Sequence, residues 1–124
     1  MSRKHVEIFS DNTERSLTSA QSGSIIFINT ENHNVTLNLP PPEAGLSFEF
    51  VIIKPTSDFI LQSVNSSYTL TALMYFGQKS DVTGNTLTVD SPTAGDRILL
   101  DCDGTSWYGS IICKTISEFT LSTA

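Results

Sequence analysis

Apolar and polar residues alternate most clearly in the last third of the chain. In the segment 97–102 the apolar residues Ile98, Leu100 and Cys102 fall on one face of a strand, and in the segment 107–113 Trp107, Ile111 and Cys113 do the same. The intervening Asp103-Gly104 is typical of a tight hairpin turn, and a two-residue turn places Leu100 opposite Trp107. The pattern therefore predicts a β-hairpin whose two apolar rows share a face.

Alternating or short continuous apolar runs predict further strands along the rest of the chain. These runs are 5–9, 25–28, 35–39, 48–53, 59–64, 68–75 and 86–89. The run 68–75 also fits a helical period, but its short length among strands favours a strand or an irregular connection. Residues 78–85 are predicted to form a polar loop, and the Pro-to-Gly segments 40–45 and 92–95 are predicted turns. Eight or nine short strands with closely spaced turns predict an all-β fold, an antiparallel β-sandwich or barrel, in which no internal repeat of fixed period stands out.

The length and composition agree with a single all-β domain. The chain has 124 residues, of which 17 are serine and 15 are threonine. Threonine and the β-branched apolar residues fit a pleated surface, whereas serine competes with the backbone hydrogen bonds of a helix. We expect residues 1–22 to form an N-terminal arm or edge strand, residues 23–114 the β-sandwich domain, and residues 115–124 a polar C-terminal tail.

The charge of the chain argues against nucleic acid as a partner. Seven basic residues stand against thirteen acidic ones, a net charge of −6, and this sign repels phosphate groups. Arg3 and Lys4 are too few for the basic clusters that bind membranes or nucleic acid, so a solvated terminus is expected there. No run approaches the roughly 18 apolar residues of a membrane span, and no apolar run of signal-peptide type begins the chain. We expect no insertion into a membrane. We expect the protein to be synthesised in a host cytoplasm.

Few side chains suit catalysis or metal binding. The obvious general bases are His5 and His33, one in the predicted arm and one in a polar turn, so we expect no enzymatic activity and no cofactor. Asp96, Asp101 and Asp103 lie near one hairpin and carry the oxygen ligands that calcium prefers. We favour a solvent-facing acidic edge that discourages edge-to-edge aggregation, because the loop lacks the other ligands of an EF-hand. No metal site is therefore assigned.

The two cysteines, Cys102 and Cys113, are expected to be free thiols. In the predicted hairpin register they lie about eight residues apart along the strands, roughly 26 Å, which is too far for a disulfide. Cysteine packs in protein cores as a small apolar side chain, and we expect both thiols to do so.

The order of motifs along the chain resembles a β-module of bacteriophage and other viral structural proteins. A strand of the type Val35-Thr36-Leu37-Asn38-Leu39-Pro40 is followed by a turn rich in proline, alanine and glycine and by a second strand at 48–54. The module ends at an acidic-Gly-Thr-x-Trp-Tyr turn, here Asp103-Gly104-Thr105-Ser106-Trp107-Tyr108. This chain departs from the commoner fibre pattern because it lacks the glycine-rich middle and has a richer apolar run at 59–76.

This resemblance implies a structural role in a virion. Its members occur in tail fibres, head fibres and capsid decorations, typically as homotrimers. We expect a non-enzymatic virion structural protein that decorates or cements a capsid surface, with its own copies and the major capsid protein or other virion proteins as partners. The alternative is a receptor- or carbohydrate-binding module of a tail or head fibre, which would bind a host-surface glycan through exposed tyrosines beside polar groups.

Two sets of residues are candidates for contacts. The interface or core candidates are Trp107, Tyr108, Tyr75, Phe48 and Phe50. The candidates for a capsid-contacting arm are Arg3, Lys4, Val6, Ile8 and Phe9.

Overall fold

The computed structural model describes residues 6–10, 13–63, 74–76 and 82–122, and these residues form twelve strands in two sheets. The strands are β1 (Val6–Phe9), β2 (Arg15–Ser16), β3 (Ile25–Asn29), β4 (Val35–Asn38), β5 (Ser47–Lys54), β6 (Phe59–Gln62), β7 (Met74–Phe76), β8 (Val82–Gly84), β9 (Thr86–Val89), β10 (Arg97–Cys102), β11 (Trp107–Ile112) and β12 (Phe119–Ser122). Two single-turn 3-10 helices lie at Ser19–Gln21 and Ile116–Glu118.

The two sheets pack face to face across an apolar core, so the predicted all-β sandwich is confirmed. The seven-stranded sheet has the order β1-β3-β5-β10-β11-β7-β8, and the five-stranded sheet has the order β12-β9-β6-β4-β2. The ring centroids of Phe50 and Phe59, one from each sheet, are 5.7 Å apart. On the inner side of the five-stranded sheet, leucines of four neighbouring strands pair in register: Leu37, Leu61, Leu87 and Leu121. Removal of these side chains from water is the main source of stability for such a sandwich.

The first half of the chain winds as a coil instead of forming hairpins. β1, β3 and β5 lie side by side and parallel in the seven-stranded sheet, and β2, β4 and β6 do the same in the five-stranded sheet. Ile25 pairs with Glu49 and Val35 pairs with Phe59, so this turn of the coil takes 24 residues. The expectation of antiparallel pairing is therefore wrong for this half. The preceding turn of the coil is shorter, since Val6 pairs with Ile25 and Arg15 pairs with Leu37, so the turns do not share one fixed length.

Hydrogen bonds at the corners hold successive turns of the coil together. The backbone N–H of Asp58 donates to Oδ1 of Asn34 at 2.9 Å, and the N–H of Thr30 donates to the carbonyl of Lys54 at 3.0 Å. The N–H of Ser57 donates in turn to the carbonyl of Thr30 at 2.9 Å. The backbone N–H groups of one corner thus find hydrogen-bond acceptors in the other corner. The chain can therefore pass from one sheet to the other without leaving these groups unpaired.

Most strands of the second half pair in antiparallel orientation, whereas β7 pairs with β11 in parallel. β9 and β10 pair with β6 and β5, and β11 pairs with β10. The predicted hairpin of β10 and β11 is confirmed, but its predicted register is wrong, because Cys102 lies opposite Trp107 and Leu100 lies opposite Gly109. Since this shift is two residues and side chains alternate with a period of two, the apolar rows still share a face.

A four-residue loop, 103–106, explains the shifted register. The carboxylate of Asp103 accepts hydrogen bonds from the backbone N–H groups of Thr105 and Ser106, each at 2.9 Å. An aspartate that binds the backbone two and three residues ahead stabilises a wider turn than the two-residue turn that the sequence predicted. Cys102 ends β10, Cys113 directly follows β11, and no disulfide joins the two.

Both ends of the described chain belong to the sandwich. β1 is the edge strand of the seven-stranded sheet, and Leu17 lies in the core, so the described part of 1–22 is integrated into the fold. The predicted polar tail at 115–124 is wrong, because β12 pairs with β9 and Phe119 is fully buried. The sequence feature that indicates this strand is the alternation of Phe119 and Leu121 with two polar residues, Thr120 and Ser122.

The middle of the chain is described only in part. The predicted loop 78–85 contains β8, which pairs with β7. Within the run 68–75, residues 74 and 75 belong to β7, in accordance with the strand alternative, and 68–73 lie outside the described residues.

Candidate interaction face

The outer face of the seven-stranded sheet carries large apolar side chains where a solvated face is normally polar. One row crosses five strands in register: Ile8, Phe27, Val51, Arg97 and Ile112. The isoleucines at its two ends are 63% and 53% exposed, whereas Val51 at its centre is 5% exposed. The outward side chains of Ile8, Ile25, Phe27, Val51, Leu99 and Ile112 are called the apolar face below. Apolar side chains gathered on an outer sheet face make it a candidate contact surface.

The charges embedded in the apolar face are paired with each other. The guanidinium of Arg97 forms an ion pair with the carboxylate of Glu49 on the neighbouring strand. Glu49 itself lies in register between Ile25 and Leu99. The pair leaves this region without net charge, although the whole chain carries −6. An acidic protein can therefore bring a second copy of itself close at this face with less electrostatic repulsion than its overall charge would cause.

The outer face of the five-stranded sheet is different in character. Its two rows in register are Thr36, Ile60, Thr88 and Thr120, and Ser16, Asn38, Gln62, Thr86 and Ser122. Hydroxyl and amide groups dominate these rows, which is the usual composition of a solvated sheet face. The sandwich therefore has one apolar outer face and one polar outer face.

A pair of stacked tyrosines lies at one end of the seven-stranded sheet. Tyr75 of β7 and Tyr108 of β11 are directly paired, and their ring centroids are 5.2 Å apart with an angle of 16° between the ring planes. Tyr108 is 48% exposed. On its other side Tyr108 is paired with Asp101, which is paired in turn with Ser47. We call Ser47, Asp101, Tyr108 and Tyr75 the tyrosine row.

Asp103 fixes a negative charge beside the tyrosine row. Hydrogen bonds from the backbone N–H groups of Ser106 and Thr105 lower the pKa of the Asp103 carboxyl below its usual range, with a smaller contribution from the Tyr108 hydroxyl. The charge of Asp103 is in turn the main reason that the pKa of Tyr108 is raised. Asp103 is therefore ionised, and Tyr108 neutral, across the physiological pH range.

The structure divides the interface or core candidates into two groups. Trp107, Phe48 and Phe50 lie in the core, where the rings of Phe48 and Trp107 are 6.0 Å apart between centroids. Tyr108 and Tyr75 lie on the outer face. These two tyrosines are therefore the members of this set that are placed to meet a partner.

The candidates for a capsid-contacting arm are also separated. Ile8 lies on the apolar face, and Phe9 packs against the core. Val6 begins the same strand, β1. Arg3 and Lys4 lie outside the described residues.

The three aspartates considered for calcium do not converge. Asp96 is buried, and its carboxylate accepts hydrogen bonds from the backbone N–H groups of Thr93 at 2.9 Å and Lys114 at 3.3 Å. It precedes β10, whereas Asp101 and Asp103 lie at the other end of that strand. Within the described ranges no group of three or more His, Cys, Asp or Glu side chains is arranged to hold a metal ion. The carboxylate of Asp96 therefore stabilises two loop segments, one at Thr93 and one at Lys114, by accepting their backbone hydrogen bonds.

Sequence analysis missed a pair of acidic residues where the five-stranded sheet turns its corner. Asp58 and Asp90 flank the last paired residues of β6 and β9, Phe59 and Val89, and their side chains are close enough to interact. Burial is the largest cause of the raised pKa of Asp58, and the hydrogen bond and charge of Asp90 raise it further. This proximity depends on the pairing of strands that are distant in sequence, so no local motif indicates it.

We expect Asp90→Asn to stabilise the protein at pH 7 by about 0.5 kcal/mol, the size of a like-charge cross-strand contact. The folded-state pKa of Asp58 lies above its ordinary value of 3.8, so the folded protein binds the proton more tightly than the unfolded chain does. Stability from this site is therefore present at low pH and is lost as the pH rises through the folded-state pKa. The gain in melting temperature of the variant should be larger at pH 7 than at pH 4. Glu43→Gln removes an exposed carboxylate elsewhere and is the control, which should show no such dependence on pH. An equal gain of Asp90→Asn at both pH values would contradict the assignment.

Comparisons with protein-family models, with curated proteins and with solved structures gave no match for this chain. Within the described part of the chain, no helix is long and apolar enough to cross a membrane.

Proposed function

We propose that this chain is a non-enzymatic structural protein of a virion that decorates or cements a capsid surface as a homotrimer. The apolar face is the observation that carries the proposal, because a sandwich with one apolar outer face gains stability when that face is covered. The motif order of the sequence supports the virion assignment. The proposed role is binding, in which copies of the chain bury the apolar face and present the remaining surface to the capsid.

A second copy of the chain is the occupant that the apolar face fits best. The row from Ile8 to Ile112 crosses five strands that are spaced about 4.8 Å apart, so the face is about 20 Å wide. The ion pair of Arg97 and Glu49 leaves no uncompensated charge within the row where it would be desolvated. Apolar side chains around one paired charge resemble the central part of a homo-oligomeric interface, which is more apolar than ordinary surface.

The first test is the native mass of the purified protein by light scattering. We expect the wild type to be a trimer, and Ile112→Lys to shift it towards monomer, because the new charge would be buried without a partner. Thr120→Lys is the matched control, since it adds the same charge on the polar outer face and should leave the trimer intact. A wild type that stays monomeric at high micromolar concentration would refute assembly through the apolar face.

The virion assignment has its own test. Antibodies raised against the purified protein should label intact particles of the virus that encodes it, as seen by immunogold electron microscopy. Absence of the protein from purified particles that contain their other structural proteins would overturn the assignment.

A further inference from the structure

The tyrosine row is a surface feature that the apolar face does not explain. Tyr108 is about half exposed, its phenol ring stacks on that of Tyr75, and its strand position is paired on the other side with Asp101. Asp103 adds a second carboxylate beside the same ring. The row lies at the end of the sheet, beyond the rows that make up the apolar face.

The two rings leave part of their faces uncovered. Parallel rings in direct contact are separated by about 3.5–4.0 Å, and the centroids of Tyr75 and Tyr108 are 5.2 Å apart. The rings are therefore offset, as aromatic pairs prefer, and do not cover each other completely. An uncovered aromatic face has negative electrostatic potential, so it attracts a cation.

The hydrogen-bonding groups of the site favour a ligand that donates. Two carboxylates accept hydrogen bonds, and the hydroxyl of Tyr108 is directed to one of them, Asp103. Ser47 and Asp101 complete the described row, which contains no lysine, arginine, asparagine or glutamine. A sugar hydroxyl both donates and accepts, whereas guanidinium and ammonium groups only donate.

Arg97, a cation on the same face of the seven-stranded sheet, is already paired with a carboxylate. Arg97 is paired with Glu49 and stands four residues before Asp101 on β10, which is roughly 13 Å along the strand. The charge of the tyrosine row is therefore not compensated by that side chain. Two carboxylates and two aromatic rings in one place make an anionic site on an acidic protein.

We infer that Tyr75, Tyr108 and Asp101 form a binding site for an arginine side chain of a partner protein. The planar guanidinium stacks on the uncovered face of Tyr108 and pairs with the carboxylate of Asp101 through two parallel N–H groups. Asp103 is a positioning residue, because it holds the hydroxyl of Tyr108 and adds negative potential at the ring. The inference rests on the proposed function, for which it names the chemistry of the capsid-side contact.

The site is tested by titrating the isotope-labelled full chain with Nα-acetyl-arginine amide at low ionic strength while the ring signals of the two tyrosines are followed by NMR. We expect saturable shifts of both rings. The neutral isostere Nα-acetyl-citrulline amide should bind at least about threefold more weakly, the factor that corresponds to the loss of one exposed cation–π contact. Equal affinity for the two probes would overturn the inference, because the charge would then play no part.

Two variants locate the site. Asp101→Asn should weaken binding of the arginine probe by about threefold or more, since it removes the paired charge but keeps the shape of the side chain. Glu31→Gln changes the net charge equally, beyond the far end of β3, and should leave the affinity unchanged. If both variants weaken binding alike, the effect is one of overall charge and the assigned site is wrong.

Lactose serves as a third probe, because a carbohydrate-binding module would use the same tyrosines. Binding of lactose without binding of the arginine probe would overturn the inference in favour of a sugar site. The outcome is independent of the assembly test. A monomeric protein that binds the arginine probe would refute only the proposed trimer, and a trimer that does not bind it would refute only the arginine site.

Discussion

Gly109→Ala is expected to destabilise the fold by about 3 kcal/mol or more, at the upper end of the cost of overpacking a core. Gly109 lies between Leu100 and Phe76 in register. A Cβ atom at this position would overlap the ring of Phe76 and lie 2.8 Å from Cδ2 of Leu100. Phe76 is buried and cannot turn away into solvent, so the backbone of β11 would have to move.

The measurement is chemical unfolding of Gly109→Ala beside Ser110→Ala, its neighbour on the outer face. Ser110 is exposed, and its variant should stay within about 0.5 kcal/mol of the wild type. The double variant Gly109→Ala with Phe76→Leu should recover part of the loss, because the smaller side chain makes room for the new methyl group. A Gly109→Ala protein as stable as the wild type would show that β7 does not lie against β11 in the described register.

Trp107→Ala is expected to cost about 3–5 kcal/mol, the usual cost of removing a large aromatic side chain from a core. Trp107 is fully buried and contacts Phe48, and it is opposite Cys102 in the hairpin. Since small domains have total stabilities of about 5–15 kcal/mol, the variant should lose a large fraction of the stability of the fold. The melting temperature should fall by on the order of 10 °C or more.

Tyr108→Ala is the matched control for Trp107→Ala, because the two residues are adjacent in sequence and point to opposite faces of β11. Its loss should be about 1 kcal/mol, since it removes one exposed aromatic pair. Trp107→Phe should lie between the two, because Nε1 of Trp107 has no hydrogen-bond partner among the described residues and only packing is lost. Equal losses for Trp107→Ala and Tyr108→Ala would contradict the assignment of faces in the sandwich.

These stability predictions bear on the proposed function because they separate core from contact surface. Trp107, Phe48 and Gly109 hold the seven-stranded sheet against the core, and their replacement should affect folding. Ile112 and Tyr108 are exposed on the outer side of the same sheet, and their replacement should affect association with little loss of stability. If core variants lose stability and surface variants lose association, the result favours a role in which the sandwich is a rigid scaffold for two contact surfaces.

Most strands were predictable from the sequence, for a local reason. The alternation of apolar and polar residues records which side chains face the core, and it holds for β10 whatever that strand pairs with. The same alternation placed Trp107 in the apolar row of its strand. The alternation is also present at Phe119 and Leu121, where a polar tail was predicted instead of a strand.

The candidate surfaces depend on which strands become neighbours. The pattern of the sequence did not determine those neighbours. The pairing of Tyr75 with Tyr108 joins segments about thirty residues apart in parallel orientation, and the row from Ile8 to Ile112 joins five separate strands. One turn of the coil, 24 residues long, separates β3 from β5. The two strands share apolar positions but not residue identities, so the sequence did not reveal that they lie side by side.

The sequence by itself determined the all-β class, the position of most strands and the apolar rows of the closing hairpin, because these depend on side-chain periodicity over a few residues. Only the tertiary structure decided the parallel coil of the first half, the hairpin register around Asp103, and the gathering of apolar side chains and tyrosines on one outer face. The physical reason is that strand pairing is set by the path of the corners and by backbone hydrogen bonds between segments far apart in the chain, and these leave only a weak trace in local composition.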